Sequence, residues 1–359
     1  MIWRIRLLPR LRVAGGFPSK HAVWLLAVLT LHCGQVLARE KTDVLHMKNG
    51  DSLTGEIRLL EHGKLRLGTD YMGEVSIEWD DVASVESDFE FQFEGADGIR
   101  VTGTIKDSGK QEQIALLNDR GVTRFAHQNV VRISPIEDAF WDRLKGSMTF
   151  GYSYTKASNV AQGNLGFRAT HRTKIRSLTI DGSTILTRDQ SDEGTQRSNL
   201  QLSTSRYRDN RWFNSYLMGF ESSDELGLNL RSSVGAALGR YITQTNTSEF
   251  ALLGGLVATA ESFRGDTSSK ENIEGLIGVD YSRYVYDSPS VDLSSRFSAY
   301  PSLTEKGRYR TQLDISLRWE VISDLFWDFS YYNTYDSDPP SDAASGSDRG
   351  VVTSLGWSF

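Results

Sequence analysis

The chain has 359 residues, a formal net charge of −6 and 39% hydrophobic residues. That is long enough for two domains, and too polar for a bundle of membrane helices. Lys+Arg 40 against Asp+Glu 46 leave no concentrated basic surface, so no nucleic acid is expected as a partner.

The N-terminus reads as a secretory signal. Arg4, Arg6, Arg10, Arg12 and Lys20 supply a long basic region, and Ala22 to Leu31 an apolar core of about ten residues, too short to span a bilayer. Val36-Leu37-Ala38 suits a signal peptidase, which puts cleavage after Ala38 and the signal peptide at residues 1–38. A start near Lys20 would leave a conventional leader. A retained anchor helix and a lipoprotein on Cys33 are the alternatives; His32 is large and polar where a lipoprotein signal wants a small residue. Cys33 is the one cysteine, so the mature chain forms no internal disulfide.

Residues 39–134 form a first domain with an internal repeat offset by about 48 residues. Thr54-Gly55-Glu56-Ile57 matches Thr102-Gly103-Thr104-Ile105; Gly73 matches Gly121; Val82 and Val85 match Val130 and Ile133. Each unit reads as about five short strands separated by turns such as Asn49-Gly50 and His62-Gly63. The expected fold is two tandem SH3-like or Sm-like small barrels. The domain is not basic and has no cluster of base-stacking aromatics, which argues against RNA. Pro135 ends it, and residues 135–146, with Phe140, Trp141 and Leu144, read as an amphipathic linker.

From residue 147 to 359 segments of about 10 to 15 residues alternate apolar with polar or small side chains. This is the pattern of transmembrane β-strands, in which only alternate residues meet lipid. Val351, Thr353, Leu355, Trp357 and Phe359 share one face of the last strand; Val352, Ser354, Gly356 and Ser358 share the other. We expect about 12 strands, hence an all-β chain: an antiparallel outer-membrane barrel preceded by a small periplasmic β-domain. Connections near Thr173-Lys174, Arg208-Asp209-Asn210, Asp287-Ser288-Pro289 and Ser323-Asp324 are tight. Those at Arg188 to Thr195, Glu261 to Glu271 and Asp336 to Asp348 are longer and polar, as on the outer side of such barrels. Trp212, Tyr284, Tyr286, Trp319, Trp327 and Trp357 are expected in one interfacial girdle, and Tyr152, Tyr154, Tyr300, Tyr331 and Tyr335 in the other.

The strand series, leader and aromatic terminus together resemble the putative salt-induced outer membrane protein family (domain of unknown function 481), over roughly Met148 to Phe359. The first domain resembles a repeat that precedes some of these barrels, through Asn49-Gly50-Asp51, Thr54-Gly55, and Trp79 before Val82. The resemblance implies an outer-membrane location and outer-membrane lipid as surroundings. It makes Trp357 and Phe359 the signal read by the barrel assembly machinery. It implies no agreed activity.

No catalytic, cofactor-binding or metal residues are assigned, and no cofactor is expected: the metal-ligand spacings are missing. The chain is expected not to be an enzyme. His171, the one histidine of the barrel segment, raises a phospholipase-like alternative, but proximity to a Ser and an orienting residue cannot be read from sequence. By strand parity Arg168, Asp181, Glu221, Asp280, Arg296, Asp314, Arg318, Glu320 and Asp328 line the lumen. They either pair across a filled interior or line a narrow aqueous path; about 12 strands favours a filled or narrow lumen. The expected role is envelope structure or interaction, with at most limited passive permeation of ions or small solutes. A channel gated by the N-terminal domain is the alternative. That domain is expected to meet a periplasmic protein or cell-wall partner, or to plug the pore.

Overall fold

The computed structural model describes residues 40–106, 113–136, 143–155, 160–188, 194–264, 269–285, 290–322, 324–339 and 346–358. The leader with Cys33, the linker residues Phe140 and Trp141, Tyr286, the turn residues 287–289 and 323, and Phe359 lie outside the described residues, as does the side chain of Tyr154. The described residues contain no helix long and apolar enough to cross a membrane.

The N-terminal part is a sheet of ten strands. These are β1 (Asp43–Met47), β2 (Ser52–Glu61), β3 (Lys64–Gly68), β4 (Glu74–Glu78), β5 (Val82–Glu86), β6 (Glu90–Gly95), β7 (Arg100–Lys106), β8 (Gln113–Asn118), β9 (Gly121–Ala126) and β10 (Val130–Pro135). Pairing runs β5-β1-β2-β3-β4 in the first half and β10-β6-β7-β8-β9 in the second, and β10 also pairs β2. The 3-10 turns Trp79–Asp81 and His127–Asn129 lie 48 residues apart and occupy matching places before β5 and β10. Both halves feed one core: Leu45, Ile57, Leu60, Leu65, Leu67 and Trp79 pack with Phe91, Phe93, Ile105, Leu116, Val130 and Ile133. The shared core enlarges the apolar surface that each half buries.

The β2–β3 hairpin carries residues that meet the barrel. His62 and Gly63 both have positive φ (53° and 73°). Such a two-residue turn matches the twist of the flanking strands. It closes the register Glu61↔Lys64 and presents Glu61, His62 and Lys64 at one tip.

The C-terminal part is a closed antiparallel barrel of 12 strands. They are β11 (Leu144–Thr155), β12 (Val160–Arg172), β13 (Arg176–Arg188), β14 (Thr195–Tyr207), β15 (Trp212–Ser223), β16 (Leu228–Gln244), β17 (Ser248–Phe263), β18 (Ser269–Val285), β19 (Val291–Pro301), β20 (Tyr309–Ile322), β21 (Leu325–Asp336) and β22 (Ser347–Ser358). The first barrel strand thus begins at Leu144, inside the segment read as linker. Closure is made by β11 against β22, with Ser147↔Ser358, Met148↔Trp357, Thr149↔Gly356 and Phe150↔Leu355 in register. Gly356 is required there: a Cβ would stand 2.3 Å from the Phe326 ring.

Alternation decides the two faces. Val351, Leu355 and Trp357 stand exposed on the outer wall while Ser354 is buried inside. Phe167, Leu178, Ile180, Leu202, Met218, Val234, Ile277 and Trp319 are likewise exposed. An apolar belt around a polar interior is the inverse of a soluble barrel, and it is the arrangement that lipid stabilises. Two residues leave their expected girdles. Tyr284 stacks on His62 of the N-terminal domain, ring centroids 3.9 Å apart. Tyr300 lies under the Arg310 guanidinium, 4.8 Å from it. Both have the inward parity of their strands, which a count of aromatics near strand ends does not register.

Candidate functional site in the barrel lumen and its mouths

Register brings the sequence-predicted charges together in pairs. Arg168 and Asp181 face each other across β12 and β13, and their side chains meet at 3.6 Å. Asp280 and Arg296 face each other across β18 and β19, with Arg296 Nε donating to Asp280 at 2.9 Å. Asp314 is the β20 neighbour of Arg296 and accepts from Gln312 Nε2 at 2.9 Å. Arg318 lies between Asp292 and Asp328 in register, its guanidinium 3.7 Å from the Phe326 ring centroid. Asp328 accepts from Ser316 at 2.8 Å and from Ser330. These groups share the inward parity of their strands. Arg168 keeps 55% and Arg296 48% of its side-chain surface open, so this part of the lumen holds room for water.

At the long-loop end the lumen is crossed. Arg197 on β14 reaches Asp348 on β22 at 2.6 Å and donates to Thr334 on β21 at 2.8 Å. Arg231 on β16 contacts Glu261 at 2.6 Å, Glu221 at 2.9 Å and Asp336 on β21 at 3.5 Å. Arg308, from the β19–β20 loop, joins Glu261 (2.8 Å), Asp336 (2.7 Å) and Glu305 (2.7 Å). Arg310 pairs with Glu274 at 2.5 Å. The links from β14 to β22 and from β16 to β21 join strands that are not neighbours, so they brace the barrel across its bore. Glu221 is the sequence-predicted member of this network. Arg197, Arg231, Glu261, Glu274, Arg310, Asp336 and Asp348 were missed, although each has the inward parity of its strand. Arg308 sits in a loop, where parity gives no signal.

At the tight-turn end the N-terminal domain covers the mouth. Glu61 bonds Arg132 of its own domain and Lys145 of β11, and lies 3.8 Å from Arg172 of β12. Arg172 also meets Glu94 at 3.6 Å and stacks over Tyr207, 4.3 Å away. Arg100 donates to the Arg208 carbonyl in the β14–β15 turn at 3.0 Å, and Asn246 in the β16–β17 turn donates to the Val130 carbonyl at 3.1 Å. Lys64 donates to Ser290 at 3.2 Å and pairs with Glu320 at 3.6 Å. Glu320, expected in the lumen, therefore serves the joint between the two parts. The contacts run from β11 round to β20.

The electrostatics of this joint favour charge. Burial works to raise the Glu61 carboxyl, but Arg132, Lys145, His62 and Arg172 outweigh it and hold the group well below the ordinary carboxylate range. Glu94 is held down in the same way by Arg172 and Arg100 against its burial. His62 goes the other way: burial, with Lys145, Arg132 and Arg172 nearby, pushes its imidazole down to about 4 despite Glu61. Among the described residues no group of His, Cys, Asp and Glu has the arrangement of a metal site. His171 stands opposite Leu144 and Leu178 at the tight-turn end.

Residues 148–359 match the family model described as "Protein of unknown function, DUF481". No curated protein matches the chain. Among solved structures, the chain is similar to the β-domain of the Bordetella autotransporter BrkA, at 10% identity and a TM-score of 0.32, over 60% of this chain and 97% of that one. It is also similar to a Pseudomonas aeruginosa FadL homologue, at 11% identity and a TM-score of 0.28, over 76% of this chain and 87% of that one.

Proposed function

This chain belongs to that DUF481 family of unknown function, and we propose that it is a non-enzymatic outer-membrane barrel, closed at rest, with an envelope structural or interaction role. The outward apolar belt supports the membrane location. The tight-turn end and the N-terminal domain then lie in the periplasm, where the domain is available to a periplasmic protein or cell-wall partner. The barrel assembly machinery is the expected route into the membrane.

The observation that carries this reading is the bracing of the lumen at both ends. Pairs such as Arg231–Asp336 cross one mouth, and the N-terminal domain is tied over the other by Glu61, Lys145 and Arg172. The Arg168–Asp181 and Arg296–Asp280 section of the lumen is polar and roomy. Permeation is thereby limited to ions or small solutes. Buried ion pairs of this kind are costly to desolvate and hold specific geometry, which suits a barrel whose interior is structural.

The full chain in a planar bilayer should show no large, stable conductance steps, with folding verified by heat-modifiable gel mobility. Stable porin-sized steps from the full chain would sink the closed reading. A second reading, a channel gated by the N-terminal domain, is favoured by the dependence of that joint on a few charges. It predicts that Glu61→Gln opens steps absent from the unmodified chain; silence from both would remove it.

A further inference from the structure

The N-terminal sheet ends in two open edges. Its path β4-β3-β2-β10-β6-β7-β8-β9 begins at β4, which among the described strands pairs only with β3, and stops at β9, which pairs only with β8. Neither edge strand carries a proline or a bulge, devices that block further pairing. The two edges differ instead in charge. On β4 the exposed side chains are Glu74, Ser76 and Glu78; on β9 they are Val122 and Arg124, with Arg120 exposed just before the strand. Asp80 and Asp81 follow β4, whereas Asp119 is the one acid beside Arg120, so the first edge is acidic and the second basic. Glu78, Arg120 and Arg124 make no ion pair among the described residues; Glu74 meets Arg58 at 3.4 Å and Arg66 at 3.2 Å.

Direction and height fit one edge to the other. Every pairing along the path is antiparallel, and the path has eight strands, so β4 and β9 run in opposite directions. A second copy shifted sideways in the membrane plane therefore presents its β9 antiparallel to β4, with the core faces of both sheets on the same side. Glu78 lies opposite Lys64, which reaches Ser290 of the barrel at 3.2 Å. At the other edge β7 starts at Arg100, bonded to the Arg208 carbonyl, and register through Leu117 carries Arg120 to that same end. Glu78 and Arg120 thus mark the barrel-side ends of their edges, and Glu74 and Arg124 the far ends. Setting Glu74 opposite Arg124, Ser76 opposite Val122 and Glu78 opposite Arg120 satisfies face, direction and height together. Opposite charges across a strand pair stabilise it and like charges destabilise it. Copies in one membrane could bring β4 to β4 only in parallel and with glutamates together.

We propose that the N-terminal domains of neighbouring copies join edge to edge, β9 of one on β4 of the next, so that the barrels stand in open rows along the membrane. The inference rests on the reading of the chain as a membrane barrel with this domain at its tight-turn end. Backbone hydrogen bonds across the new strand pair supply the contact, and the charged side chains select which edge meets which. Each addition leaves a fresh β4 at one end of the row and a fresh β9 at the other, so the assembly does not close on itself as a two-fold dimer would. Val122, 49% exposed in the single chain, is covered by the incoming strand.

The test is oxidative cross-linking of the refolded full chain in phospholipid vesicles, in a Cys33→Ser background that leaves no native cysteine. Ser76→Cys/Val122→Cys should give a ladder of dimers, trimers and longer species, several-fold above the exposed control pair Asp51→Cys/Asp88→Cys. Mixing chains that carry Ser76→Cys alone with chains that carry Val122→Cys alone should stop the ladder at dimers, and neither alone should link. Glu78→Lys in the two-cysteine chain should reduce the ladder several-fold. Glu78→Lys/Arg120→Glu, which exchanges the two signs, should restore it, and that recovery separates edge pairing from poor folding. No ladder, a two-cysteine product that stops at dimers, linkage between chains of one single-cysteine kind, or a ladder indifferent to Glu78→Lys would overturn the proposal. Loss of heat-modifiable mobility in the Cys33→Ser chain would instead overturn the membrane reading beneath it, so the two failures are separable.

Discussion

Trp79 and His127 stack face to face, ring centroids 4.2 Å apart and planes 9° from parallel, and Trp79 Nε1 donates to the His127 carbonyl at 3.0 Å. Each is the first residue of its 3-10 turn, and the two turns stand 48 residues apart in the chain. Equivalent positions of the two halves thus meet at the centre of their joint core. Trp79→Ala should cost about 3–5 kcal/mol through the cavity it leaves. Trp79→Phe should cost about 0.5–1.5 kcal/mol through loss of the indole hydrogen bond alone, since the His127 carbonyl still accepts from the Val130 N–H. Protease accessibility of the N-terminal domain against urea, with the barrel still folded by gel mobility, measures both.

Glu61 is the shared anion of the joint with the barrel. Glu61→Gln leaves Arg132, Lys145 and Arg172 close together without their carboxylate. Breaking a buried pair from one side costs about 3–5 kcal/mol. The variant should release the N-terminal domain from the barrel mouth, seen as faster proteolytic loss of that domain with the barrel itself intact. Unchanged proteolysis would mean that the turn contacts at Arg208 and Asn246 hold the domain unaided.

His62 gives the joint a dependence on pH. Its folded-state pKa of about 4 lies below the ordinary value near 6.5, so the folded form binds fewer protons than the unfolded form between these limits. Stability is complete above about pH 6.5 and declines as pH falls toward 4. The loss should be about 1–3 kcal/mol, reduced by the partial exposure of the ring. Below the ordinary carboxylate range Glu61 adds to the decline, since its folded pKa is depressed as well. His62→Asn keeps a residue that tolerates the left-handed turn and should flatten the slope between pH 6.5 and 4.5 in the same proteolysis assay.

Arg231 is the hub of the loop-end network, with Glu221, Glu261 and Asp336 around it. Arg231→Met should lower the temperature of the gel-mobility shift markedly, because three acids lose their common cation at a cost of about 3–5 kcal/mol. The double variant Arg231→Met/Glu261→Met should recover part of that loss. A shift no larger in the single variant than in an exposed control such as Arg240→Met would show that Arg231 carries little of the network.

The barrel was legible in the sequence because a strand with one face in lipid and one in a polar lumen must alternate, and twelve segments did so. Strands β19 (Val291–Pro301) and β20 (Tyr309–Ile322) begin and end where the alternation does. Parity likewise named Arg168 with Asp181 and Asp280 with Arg296 as inward, and register then made them pairs. The 48-residue offset read from the sequence is also the distance between the two 3-10 turns, Trp79–Asp81 and His127–Asn129. What sequence alone did not determine was which distant groups meet. Arg197 and Asp348 are 151 residues apart, and Glu61 and Lys145 are 84 apart; nothing local links them, because their contact is set by the curvature of a closed sheet and by docking of one part on another. The same holds for Tyr284 and Glu320, which the pattern assigned to a girdle and to the lumen, and which the tertiary structure gives to the joint with the N-terminal domain. Local alternation fixes which face a side chain takes; only closure of the barrel decides what it faces.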